Sequence, residues 1–193
     1  MGALDTLPIH AFATPRAFET WLEKNHDKVL AIRLRIAKKG SGIPSVTYAQ
    51  ALDVALCFGW IDGQSKSENE ATFFQRFGKR KPKSLWSKVN QAHCARLTEE
   101  GKMRPPGLAE IEAAKRDGRW DAAYEPPSRA TVPDDLSAAF AKNKKAAAFF
   151  ATLDKQNRYA VLHRIATVKT PVGRAKRIEA FVAMLAANEK IYP

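Results

Sequence analysis

The chain has 193 residues, of which 45% are hydrophobic and 27% charged, and a formal net charge of +12 with a pI near 9.9. That is enough apolar sequence for one globular domain plus a smaller appendage, and too much for a disordered chain. No run approaches the ~18 apolar residues of a membrane helix; the N-terminus lacks the basic and apolar regions of a secretory signal, and Cys57 and Cys94 are too few for a disulfide framework, so a cytoplasmic protein with reduced, buried thiols is expected.

In chain order, Thr14-Pro15 reads as a helix start, with Phe18, Trp21 and Leu22 on one face of a helix over 15–25. From Val29 to Ile36 apolar residues alternate, with Leu30, Ile32, Leu34 and Ile36 on one side and Arg33 and Arg35 on the other, as in a strand facing a core. Thr47 to Gln50 fits a capping box before an apolar helix that Gly59 ends. Residues 59–67 and 71–78 are predicted strands, joined either through Glu68-Asn69-Glu70 or at Asp62-Gly63, itself a hairpin signal. Beyond Pro82 the pattern turns helical, first from Trp86 through Leu97 and again from Pro105.

A proline-containing polar stretch, 121–133, reads as a linker. Helices are predicted over 134–142, 144–152, 155–168 and 171–187, the last two announced by Asp154 and by Thr170-Pro171. The expected fold is α+β: a small antiparallel β-sheet packed with helices (1–125), followed by an α-helical C-terminal domain (126–193).

Charge is unevenly spread. Residues 71–98 hold Arg76, Lys79, Arg80, Lys81, Lys83, Lys88 and Arg96 and no acid; residues 155–178 hold seven cations and no acid. Such windows favour nucleic acid, phosphorylated ligands or anionic lipid, and equally describe a solvated basic surface. There is no phosphate loop, dinucleotide fingerprint or nucleophile elbow, and the four histidines lack metal spacing. No cofactor or metal is expected, and no catalytic residue is named.

The densest chemistry lies between Trp60 and Asn90. Trp60 and Asp62 share a strand face, where the carboxylate is either a perturbed acid or the partner of Arg76 or Arg80. Ser84 reads as the N-cap of a helix that presents Trp86, Ser87 and Asn90; flanked by Arg80, Lys81 and Lys83, the same helix start reads as an anion site. Arg119 beside Trp120 reads as packing or as ligand stacking. Trp60, Asp62, Arg76, Arg80, Ser84, Trp86, Ser87, Asn90 and Arg119 are thus the candidate ligand-binding residues. Arg80 is expected at the mouth of the site with its guanidinium exposed, and Trp86 is expected buried. Two functions fit: a non-enzymatic protein binding an anion or polyanion, or a receptor or enzyme for a phosphorylated or carboxylated metabolite.

Several of these motifs carry a resemblance. Gly59-Trp60-Ile61-Asp62-Gly63, Gln75-Arg76-Phe77, Ser84-x-Trp86-Ser87-x-x-Asn90, Glu100-Gly101-x-Met103 and Ala114-Lys115-x-x-Gly118-Arg119-Trp120 resemble the YdeI/OmpD-associated, or bacteriocin-protection, family. Asn157-Arg158-Tyr159 through Lys169, with Arg174-x-x-Arg177-Ile178, resembles its helical tail. The likeness spans about 12–192. One departure is Phe77-Gly78-Lys79-Arg80, where the family pattern has Phe-Thr-Pro-Arg. The resemblance implies a cytoplasmic protein tied to tolerance of bacteriocins or antimicrobial peptides under envelope stress. It assigns no activity, cofactor or catalytic residue.

Overall fold

The structure is a computed structural model that describes residues 6–193. The chain forms two compact units, one comprising the residues to Trp86 together with Asn90–Asp121, the other Ser87–Val89 with Ala122–Pro193.

The first unit is built on a sheet. Its elements are β1 (Ile9–Ala11), α1 (Pro15–Asn25), β2 (Ala31–Ala37), α2 (Tyr48–Cys57), β3 (Trp60–Ser67) and β4 (Thr72–Lys79). They are followed by α3 (Lys88–Glu99), most of which belongs to this unit, and α4 (Pro105–Arg116). The strand order is β1-β2-β4-β3. The sheet is mixed, which corrects the all-antiparallel expectation: β1 runs parallel to β2, while β2–β4 and β3–β4 are antiparallel. At three residues β1 is too short to show a period, so alternation could not reveal it.

Local signals set the ends of these elements. The Thr14 hydroxyl accepts from Ala17 N at 3.2 Å, and Thr47 and Gln50 close a reciprocal capping box. The connection between β3 and β4 is the Glu68–Ala71 turn, where Asn69 Oδ1 accepts from the backbone N–H groups of Ala71 and Thr72. Asp62-Gly63 is not a turn; the register shifts between Asp62 and Ser65, a bulge whose Gly63 carbonyl accepts from the Gln75 side chain at 2.7 Å. At the departure from the family pattern, Lys79 N donates to Leu30 O at 3.0 Å. A proline there has no N–H to give, so Lys79 extends the β2–β4 pairing by one bond.

Ile32, Leu34 and Ile36 of β2 and Phe77 of β4 face α1 and α2; Phe18 meets Phe77 with tilted rings, and Trp21 meets Trp60 edge-on. The helix α4 approaches the end of α2 closely. A Cβ at Gly107 would lie 2.7 Å from the Leu56 carbonyl oxygen and closer still to that of Cys57, so only glycine permits this packing.

The second unit is helical: α5 (Asp134–Lys142), α6 (Lys144–Thr152), α7 (Lys155–Ala166) and α8 (Pro171–Ala186). Asn143, Asp154 and Thr170 cap α6, α7 and α8 through their side chains. Leu136, Phe140, Phe150, Val161, Ile165, Ile178, Phe181 and Leu185 form its core. Arg174 of α8 grips Asp135 of α5, with Nη2 to Oδ1 at 2.9 Å, and holds that carboxyl below its ordinary range.

Candidate functional site

The sheet's pleat sorts the candidate residues before any chemistry is considered. Trp60 pairs with Lys79 and Asp62 with Phe77, so both lie on the side that packs against the helices. Trp60 is fully buried, its indole N–H donating to the His26 carbonyl at 3.1 Å. Asp62 accepts from the Tyr48 hydroxyl at 2.8 Å. Arg76 pairs with Arg33 on the opposite face. The expected Asp62–Arg76 pair is therefore corrected: the two side chains leave the sheet in opposite directions, and Tyr48 at the start of α2 takes the partner's place.

Arg80, Ser84, Trp86 and Arg119 do come together, as a packed knot. The Arg80 guanidinium lies over the Trp86 ring at 3.5 Å and donates to the Leu85 carbonyl at 3.1 Å. Trp86 in turn meets Trp120 at 4.8 Å. Arg119 donates to Asp117 at 2.7 Å and to the Ser84 carbonyl at 3.2 Å. Arg80 and Arg119 are each 6% exposed and Trp86 1%. Trp86 is buried as expected, but the exposed guanidinium expected at Arg80 is corrected: the ring of Trp86 and a backbone carbonyl hold it inside.

Ser84 is not a helix cap either. Its hydroxyl accepts from Lys81 N at 2.9 Å in a turn, and α3 begins four residues later at Lys88. Hence Arg80, Lys81 and Lys83 do not flank a helix N-terminus. Asn90 lies in the first turn of α3; Ser87, which precedes that helix, is buried and bridges to Tyr124.

The face that carries Arg76 assembles more charge than the linear sequence reveals. Arg33 stands directly opposite Arg76, Arg35 opposite Phe74, and Lys66 opposite Phe74 from the other side. The guanidinium carbons of Arg33 and Arg35 lie 5.3 and 5.4 Å from the Phe74 ring centre. Space for Arg76 is made by two glycines: a Cβ at Gly63 would meet its Nη1 at 3.2 Å, and one at Gly78 its Nη2 at 3.1 Å. Arg35 is neutralised by Glu68 through two bonds of 2.7 and 2.8 Å, which hold the Glu68 carboxyl below its usual range. Like charges directly opposite one another repel across a sheet; Arg33 also donates through Nε to the Leu7 carbonyl at 3.0 Å. Alternation in β2 already placed Arg33 and Arg35 away from the core; the cross-strand register that joins them to Arg76 and Lys66 has no local signal.

A separate cavity of about 310 Å³ is lined by Glu19, Asp53, Cys57 and Lys102 among others. Its acids are already engaged. Glu19, pushed up by burial, is brought below its usual range by Arg104 and Arg16. Asp53 holds His93 Nδ1 at 2.7 Å and Arg96 at 2.6 Å. Burial pushes the Cys57 thiol up to about 11, so the cavity offers no ready nucleophile. Among the described residues no three His, Cys, Asp or Glu cluster to hold a metal, and no helix is long and apolar enough to cross a membrane.

Two family models match the chain. One, described as a domain of unknown function (DUF8412), covers residues 10–110. The other, described as "Bacteriocin-protection, YdeI or OmpD-Associated", covers residues 129–188. No curated protein and no solved structure matches.

Proposed function

Since the first of those matches takes in more than half of its length, the chain belongs to the DUF8412 family and carries a YdeI/OmpD-associated segment behind that domain; from that premise we propose that it is a non-enzymatic, cytoplasmic protein that binds phosphate-rich polyanions in bacteriocin or antimicrobial-peptide tolerance. The observation that carries the reading is the Arg33–Arg76 cross-strand pair, extended by Lys66 beside Phe74. Phe74 is buried beneath the cations, so the face offers charge rather than an open ring for base stacking. It therefore reads backbone phosphate and not base identity.

The test is binding of a labelled single-stranded oligonucleotide and of inorganic polyphosphate at two salt concentrations, alongside anionic vesicles. Affinity for the first two falls steeply with salt as counterions are released. Replacement of Arg76 by Gln reduces the salt slope by about 1. A strain carrying the Arg76→Gln protein loses bacteriocin tolerance with the protein still folded. Absence of binding to any of the three at low salt sinks the proposal.

A further inference from the structure

The acid-free window of α7 folds into a cleft that the sheet face does not explain. It has a volume of about 430 Å³ and is lined by Pro127, Lys155, Tyr159, His163, Arg164 and Tyr192, together with Gln156 and Ala160. That size suits a small molecule, not a polymer. Lys155, Tyr159 and His163 follow one another at intervals of four along α7 and so share a face.

The walls are fixed from behind. The Tyr159 hydroxyl donates to the Glu125 carbonyl at 3.1 Å, and Tyr124 meets His163 edge-on at 4.7 Å. Tyr192 is held by Asn157, which is 1% exposed. Asn157 Oδ1 accepts from Tyr192 N at 2.9 Å, and its Nδ2 donates to Tyr192 O at 3.3 Å. A buried amide used in both directions on one backbone position commits the C-terminal segment to forming this wall.

The lining holds two cations and no acid. Arg164 lies 5.5 Å from the Tyr192 ring centre, and its Nη2 reaches the Tyr192 hydroxyl at 3.4 Å. Its Nη1 is buried and has no hydrogen-bond partner. That N–H is closed off from solvent, so the cleft is served by the charges of Arg164 and Lys155 that line it. His163 is kept below its ordinary value by burial and by Arg164, so near neutral pH it adds a ring and no third charge.

We propose that this cleft binds a small aromatic carboxylate, its ring against Tyr159, His163 and Tyr192 and its carboxylate beside the Arg164 guanidinium, with Lys155 adding attraction. The site is separate from the sheet face and does not depend on the polyanion reading.

The experiment is titration of the isotope-labelled full chain with 2-naphthoate, 2-naphthamide and acetate, followed by amide chemical shifts. 2-Naphthoate produces saturable shifts confined to α7 and the Tyr192 segment. The neutral amide and the ringless acetate bind at least ~10-fold more weakly, and Arg164→Met weakens 2-naphthoate by ~10- to 100-fold, as for loss of a charge-assisted hydrogen bond. Equal binding of the amide, saturable shifts located elsewhere, or no saturation overturns the proposal. The comparison of 2-naphthoate with its amide on the unaltered protein remains decisive even where the Arg164 variant folds poorly.

Discussion

Replacing Arg80 by Ala tests the knot most directly, because its burial reverses what a cation in a basic, proline-containing stretch leads one to expect. A surface arginine can be removed within about 0.5 kcal/mol. Here the guanidinium is 6% exposed, donates to the Leu85 carbonyl at 3.1 Å and lies 3.5 Å from the Trp86 ring centre. A hydrogen bond from a charged group contributes about 1.5–3 kcal/mol, and a desolvated cation–π contact about 2. Relief of the guanidinium's own desolvation opposes both. The expected net loss is about 2–3 kcal/mol. Trp86→Ala loses about 3–5 kcal/mol, the range for truncating a buried aromatic. Trp86→Phe loses less, about 1–2, because it also removes an indole N–H that is buried without a partner. The two residues touch, so the double variant is less unstable than the sum by about 1–2 kcal/mol. Urea unfolding followed by far-ultraviolet circular dichroism measures all four proteins, with a constant denaturant slope required for the comparison. If Arg80→Ala changes stability by less than about 0.5 kcal/mol, or the cycle closes with no coupling, the stacked, buried arginine is wrong.

Three further outcomes are expected. Gly107→Ala destabilises by more than about 2 kcal/mol, since its Cβ runs into the Leu56 and Cys57 carbonyls at the α2–α4 contact; thermal unfolding reads this, and a neutral variant contradicts the close approach. Cys57 and Cys94, pushed up by burial to about 11 and about 12, resist a thiol reagent at about pH 8 until urea exposes them; rapid labelling of the native protein refutes their burial. Stability falls as the pH drops below 6.5, because burial holds His10 and His163 below that ordinary value. The unfolded chain takes up protons first, so this contribution is complete above 6.5 and is lost as pH falls toward the folded-state values. Unfolding free energies measured across that window for the native protein and for His163→Gln check the sign, and an unchanged slope in the variant contradicts it.

The parts of this protein that follow from neighbouring residues were legible in the linear chain. Thr14-Pro15, the Thr47–Gln50 box, Asp154 and Thr170-Pro171 each start a helix where their chemistry says, because a cap satisfies N–H groups only two or three residues away. The alternation of Ile32, Leu34 and Ile36 against Arg33 and Arg35 likewise predicted which side of β2 meets the core, whereas Leu30, expected in the same row, lies before the strand and is exposed. Helical period in the last third placed all four helices of the second unit. Motif content pointed to the bacteriocin-protection family, whose model matches residues 129–188 and not the whole of 12–192; the motifs from Gly59 to Met103 fall in the separate match over 10–110.

What tertiary structure alone decided is which distant residues face each other. Whether Asp62 meets Arg76 or Tyr48 depends on the pleat of β4 and on where α2 begins, facts separated along the chain by 14 residues in either direction. Arg80 looks like a solvent-facing cation when its neighbours are Lys79 and Lys81, and becomes a buried one only once Trp86 folds back over it. Arg33 and Arg76 become adjacent only through the β2–β4 register. Periodicity says whether a side chain points in or out, because it is a property of one segment; charge pairing belongs to two segments, and no local rule carries the register between them.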